Sequence, residues 1–189
     1  VSGLQLVETQ LIPALDRVGE GYESGRVFLP QLLSAAQAAQ SVFEVIRADM
    51  AQNGGAPVKK GRLIIATVQG DIHDIGKNIV KTVLENYGYD VLDLGRDVPP
   101  ETVVDTVVSG GIRLVGLSAL MTTTLPAMRK TVSLLKRSSA SKRIRILVGG
   151  APVTQEKATA MGADVYTETA FQAANAARDI IREMEEAKQ

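Results

Sequence analysis

The chain has 189 residues, 45% of them hydrophobic, and its 21 Lys+Arg balance its 21 Asp+Glu. That composition suits a globular protein of one or two domains, and the lack of a basic surplus argues against nucleic acid or an anionic membrane as partner. There is no cysteine, which removes disulfides, thiolate metal sites and cysteine nucleophiles together and fits a reducing cytoplasm.

No apolar run of about 18 residues is present to span a membrane, and no signal peptide is visible. The chain begins at Val1 rather than Met, which reads as a piece of a longer polypeptide. Residues 1–50 read as helical throughout. Leu4, Val7, Leu11, Leu15 and Val18 recur at helical spacing, Gly19 to Gly25 interrupts them, and a second stripe follows at Leu29, Leu32, Leu33, Ala36, Phe43, Ile46 and Met50. Pro30 is tolerable in a first turn. Two amphipathic helices bury little between them, so they are expected to lean on missing helices or on another surface. Gln52 to Pro57 reads as a flexible connector.

From Arg62 the rhythm becomes strand, helix, strand, helix. Strands are predicted over 62–68, 89–94, 112–118, 143–148 and 164–167, and helices over 76–87, 100–109, 125–137, 153–161 and 170–186. Five strands alternating with five helices imply an α/β domain, doubly wound around a five-stranded parallel sheet in the flavodoxin-like order 2-1-3-4-5. The predicted division is a helical part over 1–51, a linker over 52–61 and the α/β domain over 62–189. In such a sheet ligands sit at the carboxyl edge, which places the ligand loops at Gly70–Gly76, Ser118–Thr124 and Gly149–Pro152.

All three loops are chemically unusual. The first carries His73, the only histidine in the chain, inside Asp71-x-His73-Asp74-x-Gly76. A solvent-exposed loop histidine is the bland reading, with Asp71 and Asp74 as helix caps, but capping needs one aspartate and no histidine between them. Asp71 is placed to hold one ring nitrogen while the other faces a metal. The second loop has four hydroxyls in the seven residues Ser118-Ala119-Leu120-Met121-Thr122-Thr123-Thr124. A helix N-cap at Thr123 or Thr124 uses one of them, and the rest suit a polar, uncharged ligand tail. The third, Gly149-Gly150-Ala151, lets backbone approach a bulky ligand closely.

The absences narrow the chemistry. There is no G-x-G-x-x-G and no P-loop, the third strand ends in Ser118 rather than in a phospho-accepting acid, and no elbow serine is placed for a hydrolase. One histidine and no cysteine cannot build a closed zinc site. A metal that brings most of its own ligands needs only one more from the protein, and a corrin ring, holding cobalt by four nitrogens, is such a metal carrier.

Asp71-x-His73-x-x-Gly76, Ser118-x-Leu120 and Gly149-Gly150, in order, resemble the three-part signature of cobalamin-binding domains of the methionine synthase and corrinoid methyltransferase family. Val18-Gly19-Glu20-Gly21-Tyr22-Glu23-Ser24-Gly25-Arg26-Val27-Phe28-Leu29-Pro30-Gln31 resembles the end of that family's helical-bundle cap, of which only the last two helices are expected here. The resemblance implies that His73 replaces the cofactor's dimethylbenzimidazole as lower axial ligand of cobalt, that Asp71 holds the other ring nitrogen, and that Thr124, where synthases carry serine, continues the relay. It implies contacts to the cofactor from the whole loop Gly70, Asp71, Ile72, His73, Asp74 and Gly76. Ser118, Leu120, Thr122, Gly149, Gly150 and Ala170 would line the slot for the nucleotide tail. In the cap it implies a cofactor-contacting Glu8 and a Tyr22–Leu29 pair shielding the methyl group.

The activity implied is methyl carriage on cobalt, alternating between cob(I)alamin and methylcobalamin. The implied partners are methyl-donor and methyl-acceptor methyltransferase domains or subunits, the acceptor of homocysteine type, and a reductive reactivation partner. The excised look of the chain favours the cobalamin module of a methionine synthase. The alternatives are a stand-alone corrinoid protein of a methanol, methylamine or aryl methyl ether system, which the Leu94–Pro99 segment also resembles, and a corrinoid-binding sensor. A mutase subunit would lack the cap, and a plain interaction domain would bind no cofactor.

Overall fold

Leu63, Ile64, Ile65, Ala66 and Thr67 are all buried, a continuous run rather than an alternation, as expected of a strand covered on both faces. They form β1 (Arg62–Thr67) at the heart of the computed structural model, which describes residues 6–52, 61–86 and 88–186. The expected connector at 52–57 falls almost wholly outside those residues. The other strands are β2 (Asp90–Asp93), β3 (Leu114–Ser118), β4 (Arg145–Gly149) and β5 (Val165–Thr167). All pairings are parallel and the spatial order is β2-β1-β3-β4-β5, as the alternation predicts.

The helices are α1 (Ile12–Glu23), α2 (Leu29–Gln52), α3 (Ile75–Asn86), α4 (Pro100–Ser109), α5 (Leu125–Arg137), α6 (Gln155–Met161) and α7 (Ala170–Glu186). One sheet face, through Ile64, Ala66, Val115, Leu117, Ile146 and Val148, packs against Val103 and Val107 of α4 and Met128, Val132 and Leu135 of α5. The other, through Leu63, Ile65, Leu114 and Leu147, packs against Val83 and Leu84 of α3 and Ala174, Ala177 and Ile180 of α7. Leu15 of α1 and Ala39 of α2 belong to that second cluster. The helical pair therefore leans on the α/β domain itself, one of the two supports its thin apolar stripes required.

Two local readings change. The first helix does not break at Gly19: a π-helical turn (Val7–Leu11) leads into α1, which runs through Gly19 and Gly21 to Glu23 before the chain turns at Ser24 and Gly25. Gly21 serves the chain that folds back over it, since Arg26 and Val27 both donate N–H to its carbonyl at 2.8 and 2.9 Å. A Cβ there would lie 2.7 Å from Val27 Cγ2. The second change is at 112–118, where the strand begins only at Leu114: Ile112 is buried, but its N–H closes the end of α4 on Val107 O at 3.2 Å. No described helix is long and apolar enough to cross a membrane.

Candidate functional site

A buried carboxylate needs partners to stay ionised, and Asp71, fully buried just past β1, has five of them. Its Oδ1 accepts the His73 backbone N–H at 3.0 Å and meets His73 Nδ1 at 2.9 Å. Its Oδ2 accepts the N–H groups of Leu120 and Met121 at 2.7 and 3.2 Å and the Thr124 hydroxyl at 2.9 Å. Burial pushes the carboxyl's pKa up, but the amides of His73 and Leu120, the His73 ring and the Thr124 hydroxyl together outweigh it and hold Asp71 well below the usual carboxylate range.

A carboxylate only accepts, so it fixes the proton of neutral His73 on Nδ1 and leaves a lone pair on Nε2. The imidazole is 46% exposed, open enough to reach a ligand. Thr124 stands at the N-cap position of α5 yet makes no cap bond. Its single proton lies between Asp71 Oδ2 and Met121 O, which is 2.8 Å away. Thr124, Asp71 and His73 are thus joined in series by hydrogen bonds, the last two from the loop after β1 and Thr124 from the loop after β3.

The loop after β2, Leu94–Pro99, locks this arrangement from the side. Asp97 Oδ1 accepts the Gly70 N–H at 2.7 Å, and Asp97 N–H donates to Asp71 O at 2.9 Å. Asp97 adopts a left-handed φ of 53°, a conformation that a non-glycine residue holds only with support. Lys77, in the first turn of α3, has a side chain only 2% exposed and places its ammonium 2.7 and 2.8 Å from the Asp93 oxygens at the end of β2. Neither contact has a signal in the sequence: both join segments far apart in the chain through side chains that read as ordinary surface charge.

Beneath the loops, between the Leu63 face of the sheet and helices α3 and α7, runs a cleft of about 270 Å³. Gly76, Ser118, Gly149, Gly150 and Tyr22 all line it. A Cβ on Gly149 would stand 2.7 Å from Thr167 O, and one on Gly150, whose φ is +120°, would collide with the Ala119 carbonyl. The glycine pair is therefore what lets β4, β5 and the Ala119 loop close around the cleft.

Other expected site residues lie elsewhere. Thr122 is exposed in a 3-10 turn (Thr122–Thr124), Asp74 is half-buried just before α3, and Leu29 opens α2 half-buried without lining the cleft. Ile72 and Leu120 present apolar side chains 60% and 48% exposed on the loops that hold the histidine. Glu8 lies on the π-helical turn and Ala170 begins α7; their side chains are outside those described.

No three His, Cys, Asp or Glu side chains gather as a metal site among the described residues. One histidine with a fixed tautomer, exposed apolar side chains around it and a deep apolar cleft below suit a large flat metal complex with a tail. They do not suit a bare ion. The buried Thr67 Oγ1, at the edge of β1 and without a hydrogen-bond partner, fits a ligand that supplies one.

A parallel sheet with these loops at its carboxyl edge and a helical cap defines a corrinoid-binding protein. The chain belongs to the B12 binding domain family, whose description matches residues 61–175, and a second B12 binding domain description matches residues 3–47. Cobalamin is its cofactor. The chain is 41% identical over 177 residues to dimethylamine corrinoid protein 2 of Methanosarcina mazei, covering 94% of this chain and 82% of that protein. Among solved structures it resembles a novel cobalamin-binding protein from Desulfitobacterium hafniense (TM-score 0.80, 31% identity, covering 96% of this chain and 82% of that one). It also resembles the methanol:cobalamin methyltransferase complex MtaBC from Methanosarcina barkeri (TM-score 0.76, 34% identity, 95% and 68%). These relatives back the stand-alone corrinoid protein over the methionine synthase module, and the homocysteine-type acceptor loses its support with that module.

Proposed function

We propose that this chain is the corrinoid subunit of a methylamine- or methanol-type methyltransferase system, carrying a methyl group from a substrate-specific partner subunit to a second methyltransferase. The observation that carries the chemistry is the 2.9 Å contact of His73 Nδ1 with buried Asp71, which leaves Nε2 as a ligand at the sheet's edge. The nature of the partners rests on the 41% identity to a dimethylamine corrinoid protein over 94% of the chain.

When bound, the cobalt supplies the methyl-accepting and methyl-donating chemistry. The chain's residues bind, orient and exclude water. His73 would hold the cobalt through Nε2, with Asp71 holding its ring and proton and Thr124 steadying Asp71. Gly70, Ile72, Asp74 and Gly76 would form the bed of the corrin. Ser118, Gly149 and Gly150, which line the cleft, would flank the nucleotide tail, with Leu120, Thr122 and Ala170 meeting it only outside the cleft. Glu8 and Leu29 would cover the reactive side from the cap (1–51), which the linker (52–61) joins to the α/β domain (62–189), whereas Tyr22, expected beside Leu29, lines the cleft instead. A cap over the reactive side must move aside for each partner.

The test is to load the protein with hydroxocobalamin, reduce it to the +2 state and record the electron paramagnetic spectrum. Wild type should show nitrogen splitting from a protein imidazole, and His73→Ala should lose it. An unchanged spectrum in the variant would end this reading. Reducing the loaded protein further to the +1 state and mixing it with methanol- and methylamine-specific methyltransferase subunits, each with its substrate, then reads out the donor class by absorbance.

A further inference from the structure

The cleft is layered, and its layers differ in chemistry. Register aligns Thr67 with Ser118, Ser118 with Gly149 and Gly149 with Thr167 in one row across the carboxyl end of the sheet. Three of those four residues bear hydroxyls, and two of them, Ser118 and Thr167, line the cleft, while Thr67 is buried behind it. The next row down on the same face is Ile65, Gly116 and Leu147, and below it stand Leu63 and Leu114. From the helices the cleft is closed by Ile79, Val80 and Leu84 of α3 and by Ala173 and Ala177 of α7. From the hydroxyl row to the lowest row is about 13 Å, four residues of strand rise.

The polar lining residues are Ser118 and Thr167 in the hydroxyl row, Glu168 and Thr169 just before α7, Lys77 in the first turn of α3 and Tyr22 near the end of α1; none belongs to the two lower rows. Lys77 is already engaged by Asp93 and Asn78. Gly116 is the narrow point of the middle row: a Cβ there would come 3.3 Å from Ile65 Cγ2.

We propose that this cleft selects the lower base of the cofactor by chemistry, taking a benzimidazole with an apolar far edge and rejecting a purine. The inference rests on the proposed binding of the nucleotide tail in this cleft. A benzimidazole buries carbon and methyl groups against the Leu63–Leu114 and Ile65–Gly116–Leu147 rows, and keeps its one free ring nitrogen near the hydroxyls of the mouth. A purine carries ring nitrogens and an amino group on its second ring, and the interior rows offer them no partner. Each buried polar group left without a hydrogen bond weakens binding roughly tenfold or more.

The experiment titrates the apo-protein with three cobamides and follows absorbance. They are cobalamin, its adenine-bearing analogue, and cobinamide, which has no nucleotide tail. Cobalamin should bind at least about tenfold more tightly than the adenine form, and both more tightly than cobinamide. Equal affinity for cobalamin and the adenine form, within about threefold, overturns the selectivity while leaving the tail in the cleft. Cobinamide binding as tightly as cobalamin removes the tail from the cleft and overturns the site reading with it. Gly116→Val narrows the middle row and should bring cobalamin's affinity toward that of cobinamide. The wild-type panel decides the matter even if that variant does not fold.

Discussion

At Asp71 the isosteric substitution is the informative one. Asparagine keeps the shape but turns an NH2 either toward the two His73 donors or toward Leu120, Met121 and Thr124. Asp71→Asn should cost about 2–3 kcal/mol in urea unfolding, the penalty for opposed buried donors beside a lost charge-assisted bond. Thr124→Val removes one donor and leaves four, so about 1 kcal/mol is expected in the same measurement, with Thr124→Ser restoring most of it. His73 and Asp71 are readable in the sequence because their partnership is local, two residues apart. Asp97 is not, because its φ of 53° and its bond to Gly70, 27 residues away, exist only once the loops after β1 and β2 meet. Thr124 is readable as a hydroxyl of interest, but its choice between capping α5 and reaching Asp71 is settled by packing.

Helix α3 and strand β2 are joined by an ion pair whose lysine is buried and whose aspartate is 19% exposed. Asp93→Asn strands the Lys77 ammonium, 2% exposed, without a counter-charge and should destabilise by about 3 kcal/mol. Lys77→Met should cost about 1 kcal/mol, since Asp93 keeps solvent, the Gly95 N–H at 2.9 Å and Lys81 at 3.7 Å. A double-mutant cycle by chemical denaturation gives the coupling. Burial raises the pKa of Asp93, but Lys77 and the Gly95 amide outweigh that and hold it below its ordinary value. Its contribution to stability is therefore complete above about pH 4 and fades as the pH drops below that, and the acid limb of wild type should lie above that of Asp93→Asn and converge with it at low pH. The elements themselves were legible because parallel strands buried on both faces read as unbroken apolar runs. Their ends were less so: Ile112 and Val153 are buried like strand or helix residues, yet lie outside β3 and α6, and apolarity alone does not separate them.

Across the whole molecule, Leu15 and Ala39 join the helical pair to the core that Leu63, Ile65 and Leu84 build. Ala39→Glu puts an unpaired charge into that junction and should loosen the pair. Limited proteolysis read by mass spectrometry should then show faster cleavage within residues 12–52, with the fragment beginning near Arg62 persisting. Cleavage unchanged from wild type would mean that the junction does not hold the pair in place. The sequence foretold two helices in need of support; that the support is α3 follows from tertiary packing. Asp71 gathers amides from its own loop and from the loop after β3. One carboxylate thus knots two segments together, so a fault at that knot should be felt in both: in Asp71→Asn, amide hydrogen exchange should quicken in step over Gly70–Gly76 and Ser118–Thr124.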